Sequence, residues 1–555
     1  MKIPRDHIGH IGNKTVMLIL IMSSFFSING LAKQGAFFSK KKYLPKPLPI
    51  FSITKDKLPS PIFDEDQDYI KCYWKAWELA FQNFHEPKPT SGFVSQFIDA
   101  AFNENIFLWD TCFLTMFCNY SYPYVPGISS LDNFYAKQHE DGEICREINR
   151  TTGKDFDPWV NKENKPLFSR WGYNWSKGTK QIDVVYKARP IPTPNPKLTL
   201  DSLNHPIFAW AELESYRITA DKDRLKQIWL PLEHYYSALK KYLRQGNGLY
   251  MTDSASMDNA TRNPYLESGG TGIDISSEMA LFARNLAEIG HILGKDKKAE
   301  KYESDAEELS FLINKHMWDC KKNFYFDLTL DNKRAPVKSI AAFWALLAKV
   351  ASKSQAEALV AQLNNSRTFK TVHRVPTLAA DEHGFNPEGG YWNGAIWAPT
   401  EKMIVQGLEN YGYTDLAHEI ALNHLHNVVE VYKQTGTLWE NYAPQSVARG
   451  KPSKGDFVGW TGIGPIAFLI EYIIGIRANA PDNVIIWHIN TTKRVGIENF
   501  WFGEKTISLV CEEANSTGNR LVKVKSTGAF HLRISLNGKV KAIEIPAGKS
   551  MQVIL

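Results

Sequence analysis

The chain has 555 residues, which is enough for one large domain and a smaller second one. Hydrophobic residues make up 43% of it and charged residues 22%, as in ordinary soluble globular proteins. The net charge of +6 is spread along the whole length without a basic block or an acidic tail, and this even spread argues against a nucleic-acid partner.

Residues 1–32 have the pattern of an export signal. Basic residues precede an apolar run over 16–22, and small residues around Ala32 offer a cleavage site. The apolar run is shorter than the roughly 20 residues that a membrane-spanning helix needs. We therefore predict a cleaved signal peptide and an exported protein, periplasmic or extracellular, with an uncleaved anchor as the alternative.

An extended lead-in over 33–65 is followed by a long stretch, 66–478, in which apolar residues recur at the helical period. Short turns join many of the predicted helices into consecutive pairs. Such pairs, with long aromatic-rich loops between them, predict a mainly α fold in which helical hairpins close into an (α/α)6 toroid. Helices are predicted over 68–84, 109–119, 131–138, 206–219, 223–244, 273–293, 297–317, 339–351, 354–363, 399–411, 415–432 and 462–474.

From about residue 479 the pattern changes to short alternating stretches separated by turn signals such as Asn-Gly and Pro-Ala-Gly. This change predicts a small C-terminal β-sandwich over 479–555. The apolar segment 463–476 is short and is interrupted by Pro465 and Glu471, so we predict a buried helix and no membrane insertion of the mature chain. Strands are predicted over 484–489, 507–511, 521–525, 530–536, 542–545 and 551–555.

The metal-ligating residue types show no metal-binding spacing. Six cysteines are few for this length and form no C-x-x-C motif. His424 and His426 lie two apart on one predicted helix, which puts them on different faces, so a structural role is the better explanation for both. We predict neither a metal nor another cofactor.

Acidic residues flanked by Trp, Asn and Tyr occur at helix ends in four clusters. Any one acid could be a helix cap, but four clusters in one chain argue against this explanation for all of them. The 16 Trp, 23 Tyr and 30 Phe fit either a large core or a sugar site, where flat rings stack on pyranoses. The clusters are 107–111, 256–260, 389–397 and 437–444, the last followed by Gly-Trp-Thr-Gly at 459–462.

Cleavage of a glycosidic bond would explain two acids in such surroundings. One carboxyl group must stay neutral to protonate the leaving oxygen, and the other must be ionised to activate water or to attack directly. Aromatic walls would raise the pKa of the first carboxyl. Outside the clusters, Asp274 is predicted to cap the helix that it begins, and Glu401 is a candidate for orienting a pocket residue.

The motifs resemble those of the six-hairpin glycosidases, in particular glycoside hydrolase family 63 and the mannosylglycerate-hydrolase-like group, with trehalases as more distant relatives. Met-Asp-Asn at 257–259 resembles the family's acid motif, and Trp-Glu-Asn-Tyr at 439–442 resembles its late Glu-Asn-Tyr motif. The resemblance implies an inverting glycoside hydrolase with Asp258 as general acid and Glu440 as general base.

The same resemblance implies a sugar-binding set. Trp-Asp at 109–110 resembles an early motif that binds glycone hydroxyls, and 391–397 resembles a Tyr-Trp-Arg-Gly-Pro-Ile-Trp segment that lines the sugar pocket. Asn393 stands where the family usually has Arg, so a contact with the cleaved sugar is expected to differ. Two members of the set, Arg170 and Trp171, lie in a long aromatic loop that either closes over the site or packs as ordinary structure. The predicted substrate-binding residues are Trp109, Asp110, Asn259, Tyr391, Trp392, Asn393, Trp397, Trp439, Asn441, Trp460, Arg170 and Trp171.

Asp258 and Glu440 lie 182 residues apart in the sequence, so that only a closed toroid would bring them together. For an inverting enzyme we expect their carboxyl groups to be roughly 6.5–9.5 Å apart. The main hypothesis is an exo-acting hydrolase of α-linked sugars in an oligosaccharide or glycoside. The alternatives are a polysaccharide lyase on an α/α toroid, against which the paired acids argue, and a non-catalytic carbohydrate-binding protein.

Overall fold

The computed structural model describes seven stretches of the chain. The predicted signal over 1–32 lies outside them, and so do Arg170 and Trp171. Within the described stretches no helix is long and apolar enough to cross a membrane. The stretches are 34–156, 172–174, 179–181, 205–252, 257–266, 270–516 and 518–555.

The described residues upstream of the C-terminal strands are mainly helical. The helices of eleven residues or more agree with the predicted ones to within a few residues. They are α1 Gln67–Gln82, α2 Leu108–Cys118, α3 Phe208–Thr219, α4 Lys222–Leu243, α5 Ile273–Ile292, α6 Asp296–His316, α7 Lys353–Leu363, α8 Ala398–Asn410 and α9 Thr414–Thr435.

Two predicted helices are shorter than expected. In place of 131–138 the chain forms a 3-10 turn and one α-turn, Asp132–Tyr135, and in place of 339–351 it forms Ile340–Phe343 and Trp344–Leu347. The second segment cannot continue because Lys349 adopts the left-handed conformation, with φ of 54°, which ends a right-handed helix.

Burial patterns divide the helices into inner and outer ones. Helix α5 is buried on nearly every side, whereas in α6 the buried residues form one stripe at a spacing of three and four. Helices α8 and α9 repeat this contrast. Within each pair, one helix therefore lies inside the protein and its successor covers it. The stripe of α6 consists of Ala299, Tyr302, Ala306, Leu309 and Ile313.

The inner elements contact one another in a closed circuit. Helix α2 packs on α3, α3 on α5, and α5 on the segment Trp344–Leu347, which in turn packs on α8. Helix α8 contacts the 3-10 segment Trp460–Ile463, and that segment returns to α2. The beginning and the end of the helical region therefore meet, and the loops that follow the inner elements are brought toward one another.

The hairpin turns have the features that tight helix connections need. Between α3 and α4, Ala220 is left-handed and the side chain of Asp221 accepts the N–H of Arg224 at 2.8 Å, which caps the second helix. Gly294 and Gly412 take positive φ angles of 71° and 81° between α5 and α6 and between α8 and α9. These turns hold consecutive helices antiparallel.

The segment predicted as a buried helix over 462–474 is buried but is not an α-helix. After the 3-10 segment, Gly464–Ile473 forms a π-helix that packs against α1 and α9. Nine of its ten residues are buried. A segment that is apolar on all sides has no periodic signal, so its sequence cannot distinguish an α-helix from a π-helix.

The C-terminal strands form two sheets, and one of them includes a strand from the lead-in. The five-stranded sheet has the order β1-β4-β5-β6-β9, and the four-stranded sheet has the order β2-β3-β7-β8. Neighbours pair antiparallel, except that β3 and β7 are parallel. The bounds are β1 Ser60–Phe63, β2 Ile476–Asn479, β3 Val484–Ile489, β4 Val495–Phe502, β5 Lys505–Cys511, β6 Leu521–Ser526, β7 Phe530–Leu536, β8 Lys539–Ile545 and β9 Ser550–Ile554.

The six predicted strands are present, and β1, β2 and β4 are additional. The pairing register of β4 shifts between Ile497 and Phe500, and Asn499 has a φ of 57°. This bulge breaks the two-residue alternation from which a strand can be predicted. The two sheets touch through Phe502 and Phe530, whose ring centroids are 6.1 Å apart.

Replacement of Trp487 tests the junction between the helical region and the strands. Its fully buried ring lies on β3, and its indole N–H donates to the carbonyl oxygen of Ile474 at 2.8 Å. We expect Trp487→Ala to lower the free energy of unfolding by about 3–5 kcal/mol, because a large cavity and an unpaired carbonyl group remain. Urea denaturation followed by circular dichroism measures this change.

The control is Val540→Ala on β8, where the side chain is 70% exposed, and its effect should stay within about 0.5 kcal/mol. Equal effects of the two substitutions would contradict the buried position of Trp487.

Candidate active site

The acid motif forms a compact turn ahead of the short helix Asn263–Leu266. The side-chain amide of Asn263 donates to the carbonyl oxygen of Met257 at 2.7 Å, and the N–H of Ala260 donates to the same oxygen at 3.1 Å. Asp258 is half-buried at the top of this turn. The turn therefore holds the Asp258 backbone in one conformation. We call residues 257–262 the acid loop.

Two asparagines join the acid loop to the loop 389–397. Asn259 accepts the N–H of Trp392 at 2.9 Å and donates to the carbonyl oxygen of Gly390 at 3.0 Å. Asn393 donates to the carbonyl oxygen of Asn259 at 2.9 Å and accepts the N–H and the hydroxyl of Thr261 at 3.0 and 2.9 Å. The amide at position 393, where the resemblance expects Arg, is therefore used to hold the acid loop in place.

Glu440 is fixed through both its backbone and its carboxylate. Its N–H donates to the carbonyl oxygen of Lys454 at 2.9 Å, and its carbonyl oxygen accepts the indole N–H of Trp460 at 2.9 Å. Its carboxylate accepts the hydroxyl of Tyr391 at 2.9 Å and the N–H of Lys454 at 3.1 Å. Two donors on separate oxygens leave this carboxylate little freedom to rotate.

Tyr391 is the point at which the motifs meet. Its hydroxyl donates to Glu440, and the negative charges of Asp258, Glu440 and Asp110 all raise its pKa, after burial as the main cause. The residue has a positive φ of 64°, which costs a side-chain-bearing residue of order 1–3 kcal/mol. Carboxyl groups from three separate motifs therefore act on one strained tyrosine, and one of them, Glu440, is hydrogen-bonded to it.

Burial shapes the electrostatics of these acids. It raises the pKa of Glu440, while the hydrogen bond from Tyr391 and the N–H and charge of Lys454 oppose that rise. Loss of hydration raises the pKa of Asp110 to about 7, with the charge of Asp258 adding to the rise and that of Arg146 opposing it. Close to neutral pH the site can therefore hold both protonated and ionised carboxyl groups.

Four of the predicted tryptophans form one wall beside these acids. Trp392 and Trp397 stack with centroids 4.2 Å apart, and Trp397 lies 5.4 Å from Trp460. Trp109 contacts Trp392 at 6.3 Å and Trp460 at 6.1 Å. Tyr391 joins at 4.9 Å from Trp397. Most of this aromatic surface is buried against itself, so the cluster forms and stiffens the wall of the site.

Trp439 and Asn441 flank Glu440 in sequence but contact another part of the structure. The ring of Trp439 lies 4.4 Å beneath the guanidinium of Arg449, and its indole N–H donates to the hydroxyl of Thr435 at 3.1 Å. Asn441 is buried and its side-chain amide donates to the carbonyl oxygen of Pro452 at 3.1 Å. Their contacts therefore support the loop 449–455, and sugar contact by either residue stays a prediction.

The roles predicted for two acids outside the motifs are wrong. Asp274 does not cap its helix, because the N-cap residue of α5 is Gly272 and the carboxylate of Asp274 binds the buried guanidinium of Arg262. Glu401 is fully buried, and within the part of the chain that the structure describes neither of its carboxyl oxygens has a hydrogen-bond partner, so it orients no described pocket residue through a hydrogen bond. Burial raises the pKa of Glu401 well above its ordinary value.

Several residues of the site were not found from the sequence. Lys454 is one, because its contribution to Glu440 is a backbone N–H, which leaves no compositional signal. A second is the buried His205, which is joined to Glu278 at 2.5 Å and whose ring lies 6.1 Å from that of Trp109. Within the described residues no group of three or more His, Cys, Asp or Glu side chains could hold a metal ion.

Paired carboxyl groups beside an aromatic wall, carried on loops between helical hairpins, place the chain among the helical glycoside hydrolases. The family model described as the mannosylglycerate hydrolase MGH1-like glycoside hydrolase domain matches residues 174–461, and the chain belongs to that family.

Two relatives show the extent of the sequence similarity. An uncharacterized protein of Borreliella burgdorferi is 25% identical over 513 residues, which cover 89% of this chain and 98% of that protein. A mannosylglycerate hydrolase of Rubrobacter radiotolerans is 28% identical over 197 residues, 34% of this chain and 41% of that enzyme, so the match spans less than half of the enzyme.

A solved structure shows the same fold. It is described as the GH63 mannosylglycerate hydrolase from Thermus thermophilus in complex with glucose, and it superposes with a TM-score of 0.52. The sequence identity is 16%, and the superposition covers 71% of this chain and 99% of that one. At this identity the likeness concerns the fold alone.

Removal of the Asn393 side chain tests the connection between the two loops. We expect Asn393→Ala to lower the free energy of unfolding by about 1–2 kcal/mol, because three hydrogen bonds to the acid loop are lost at a half-buried position. Urea denaturation measures the change.

Asn365→Ala is the control, since that exposed asparagine accepts one local hydrogen bond, and a change within about 0.5 kcal/mol is expected. If Asn393→Ala is as mild as this control, the asparagine connection contributes nothing measurable.

Proposed function

We propose that this chain is an inverting glycoside hydrolase in which Asp258 is the general acid and Glu440 the general base. The observation that carries the proposal is the position of Tyr391, whose hydroxyl binds Glu440 while the charges of Asp258 and Asp110 act on the same phenol. Acids from distant motifs therefore share one aromatic-walled site, as a reaction that needs both an acid and a base requires.

The reaction would proceed by direct displacement. Asp258 transfers its proton to the glycosidic oxygen as the bond between that oxygen and the anomeric carbon breaks. Glu440 takes a proton from a water molecule whose oxygen bonds to the anomeric carbon from the opposite face. The configuration at that carbon is thereby inverted, and each carboxyl group returns to its starting state by proton exchange with solvent.

The different surroundings of the two acids support these roles. Glu440 accepts two hydrogen bonds, which favour its ionised form. Asp258 lies within the electrostatic influence of Asp110, and two neighbouring carboxyl groups resist simultaneous ionisation. The charge of Asp258 thereby adds to the rise of the Asp110 pKa, and a nearby carboxyl group of this kind favours a protonated partner.

We further propose that the substrate is an α-linked sugar of an oligosaccharide or glycoside, cleaved from its end, and that the protein acts after export. The half-buried ring of Tyr391, which packs on the tryptophan wall and binds Glu440, supports a carbohydrate ligand, because the open part of an aromatic ring suits the apolar faces of pyranose rings. The basic and apolar residues at the N-terminus support the export step.

The packing supports the remaining parts of the predicted fold. We infer that the closed circuit of inner elements, covered by outer helices, is an (α/α)6 toroid over 66–478. We infer likewise that the two sheets pack as a β-sandwich over 479–555, which β1 of the lead-in over 33–65 joins. The toroid would explain how residues so distant in sequence share one site.

Substitution of the two acids tests the proposed roles. Asp258→Asn and Glu440→Gln keep the side-chain size and remove the proton transfer, so we expect each to lower kcat/KM by about 10²–10⁴-fold. Activity is measured by sugar release from α- and β-linked glucosides and mannosides, and proton NMR should detect the β-anomer first from an α-linked substrate.

Other products would favour other functions. Retained configuration at the anomeric carbon would contradict the general-base role of Glu440. An unsaturated uronate product would identify a polysaccharide lyase. Binding of a glycan without turnover by the wild-type protein would identify a non-catalytic binding protein.

The pH dependence tests the hydrogen bond between Tyr391 and Glu440. Activity requires ionised Glu440, so it is present above the pKa of that group and is lost as the pH falls through it. Because the tyrosine hydroxyl opposes the rise of this pKa, Tyr391→Phe should move the acidic limb of the kcat/KM profile to higher pH. At pH 5 we expect a loss of roughly tenfold beyond any loss at pH 8.

The variant Asp110→Asn is the reference for Tyr391→Phe, because it leaves the hydrogen bond between Tyr391 and Glu440 in place. An equal loss at every pH in the Tyr391→Phe variant would mean that the tyrosine does not control the ionisation of Glu440.

A further inference from the structure

A buried charge cluster lies four residues beyond Asp258. The guanidinium of Arg262 donates to Asp327 at 2.7 and 2.6 Å, and to both carboxylate oxygens of Asp274, one of them at 3.0 Å. The three side chains are only 2–3% exposed. Arg262 is therefore held on two sides by planar, two-point contacts, a geometry that only arginine can provide. We call this cluster the arginine clamp.

The clamp is anchored on rigid structure. Asp327 also accepts the N–H of Ile273 at 2.9 Å, and Asp274 accepts the N–H of Ile275 at 2.8 Å, both at the start of the inner helix α5. A side chain at Gly272 would meet Asp274 at 2.5 Å, which shows how closely the backbone passes the cluster. The carboxylates therefore cannot move unless the beginning of α5 moves with them.

Stability alone does not explain this arrangement. One guanidinium and two carboxylates are withdrawn from water here, with the charge of His205 also acting on Asp274, and burying such a cluster is often unfavourable compared with apolar packing. Burial raises the pKa of Asp327, and the charge of Asp274 adds to this rise while Arg262 opposes it. A costly cluster of this kind is expected where geometry must be exact.

The position of the clamp indicates which geometry it controls. The acid loop is held at one end by the bonds between Asn259 and the loop 389–397, and Arg262 holds the other end. Asp258 directly precedes the first anchor, and Met257 on its other side has its sulfur 4.0 Å from the guanidinium of Arg262. Loss of either anchor would allow the loop to shift, and a displacement of about 1 Å at a reacting group can cost about 10²-fold in rate.

We propose that Arg262, clamped by Asp274 and Asp327, is a positioning residue that holds Asp258 at the distance needed to protonate the leaving oxygen. This inference rests on the proposed function, in which Asp258 is the general acid. Arg262 itself would touch no substrate atom. Its replacement should therefore lower kcat/KM most for substrates whose leaving group needs a proton.

The chain offers a matched control cluster. Arg224 on α4 donates to Glu212 at 2.6 and 2.7 Å and to Asp132 at 3.0 Å, and both carboxylates are buried. This cluster joins α3, α4 and the segment Asp132–Tyr135, so it supports the helical packing without contact to the acid loop. It resembles the arginine clamp in having one arginine on two buried carboxylates, although Lys40 also binds Asp132, and it lies elsewhere in the protein.

The first experiment compares leaving groups. Wild type, Arg262→Lys, Asp327→Asn and Arg224→Lys are assayed with α-glucosyl and α-mannosyl fluorides and with the methyl α-glycosides of the same sugars. Fluoride leaves with little protonation, whereas methoxide requires the acid.

We expect Arg262→Lys and Asp327→Asn to lower kcat/KM about 10²-fold on the methyl glycoside and less than about fivefold on the fluoride. Arg224→Lys should change both substrates equally. Equal losses on both substrates in Arg262→Lys would overturn the inference.

The second experiment needs no substrate. Hydrogen exchange followed by mass spectrometry should show faster exchange of the peptide around 257–266 in Arg262→Lys, and unchanged exchange there in Arg224→Lys. Unchanged exchange in Arg262→Lys would show that the clamp does not hold the acid loop and would overturn the inference. Faster exchange, combined with a wild type that hydrolyses none of the four substrates, would leave the clamp standing and overturn the proposed function together with the proton-transfer role of Asp258.

Discussion

The contact of Trp460 with Trp109 is the interaction on which the site depends. It joins the last inner segment to the first inner helix, with ring centroids 6.1 Å apart, and the same indole donates its N–H to the backbone of Glu440. Because the circuit closes here, the charges of acids from three distant motifs act on one tyrosine. An open arrangement of the same helices would leave Asp110 and Glu440 at opposite ends of the protein.

Within the closed circuit of inner elements, polar bonds between loops fix the positions of the site residues. The loops are too long to be positioned by helix packing alone, and the acid loop is held by amide side chains at one end and by the arginine clamp at the other. Asn393 is an example: where the resemblance expects the longer side chain of arginine, its amide binds the backbone of the acid loop. Small polar groups in such places have a large effect on stability, because each partner that is left unpaired when buried costs free energy.

The pKa values of the carboxyl groups in the site follow from their burial and from the kind of group that lies next to each of them. Carboxyl groups withdrawn from water rise in pKa, and hydrogen-bond donors or cations lower it again. Glu440 has such donors in Tyr391 and Lys454, whereas Asp110 has a carboxylate neighbour in Asp258. Environments that separate the pKa values of neighbouring acids are what acid and base catalysis on one fold require.

The sequence by itself determined the features that have a local signal. The amphipathic helices and the strands β3 and β7, at 484–489 and 530–536, follow from the spacing of apolar residues, and the acids of the motifs follow from their aromatic neighbours. The bulged strand β4 and the π-helix have no regular period, so pattern could not reveal them. The roles of Arg262 and Lys454 depend on partners 65 and 14 residues away. Only the tertiary structure decided these roles, because the closure of the helical circuit determines which loops meet. No local preference in the sequence determines it.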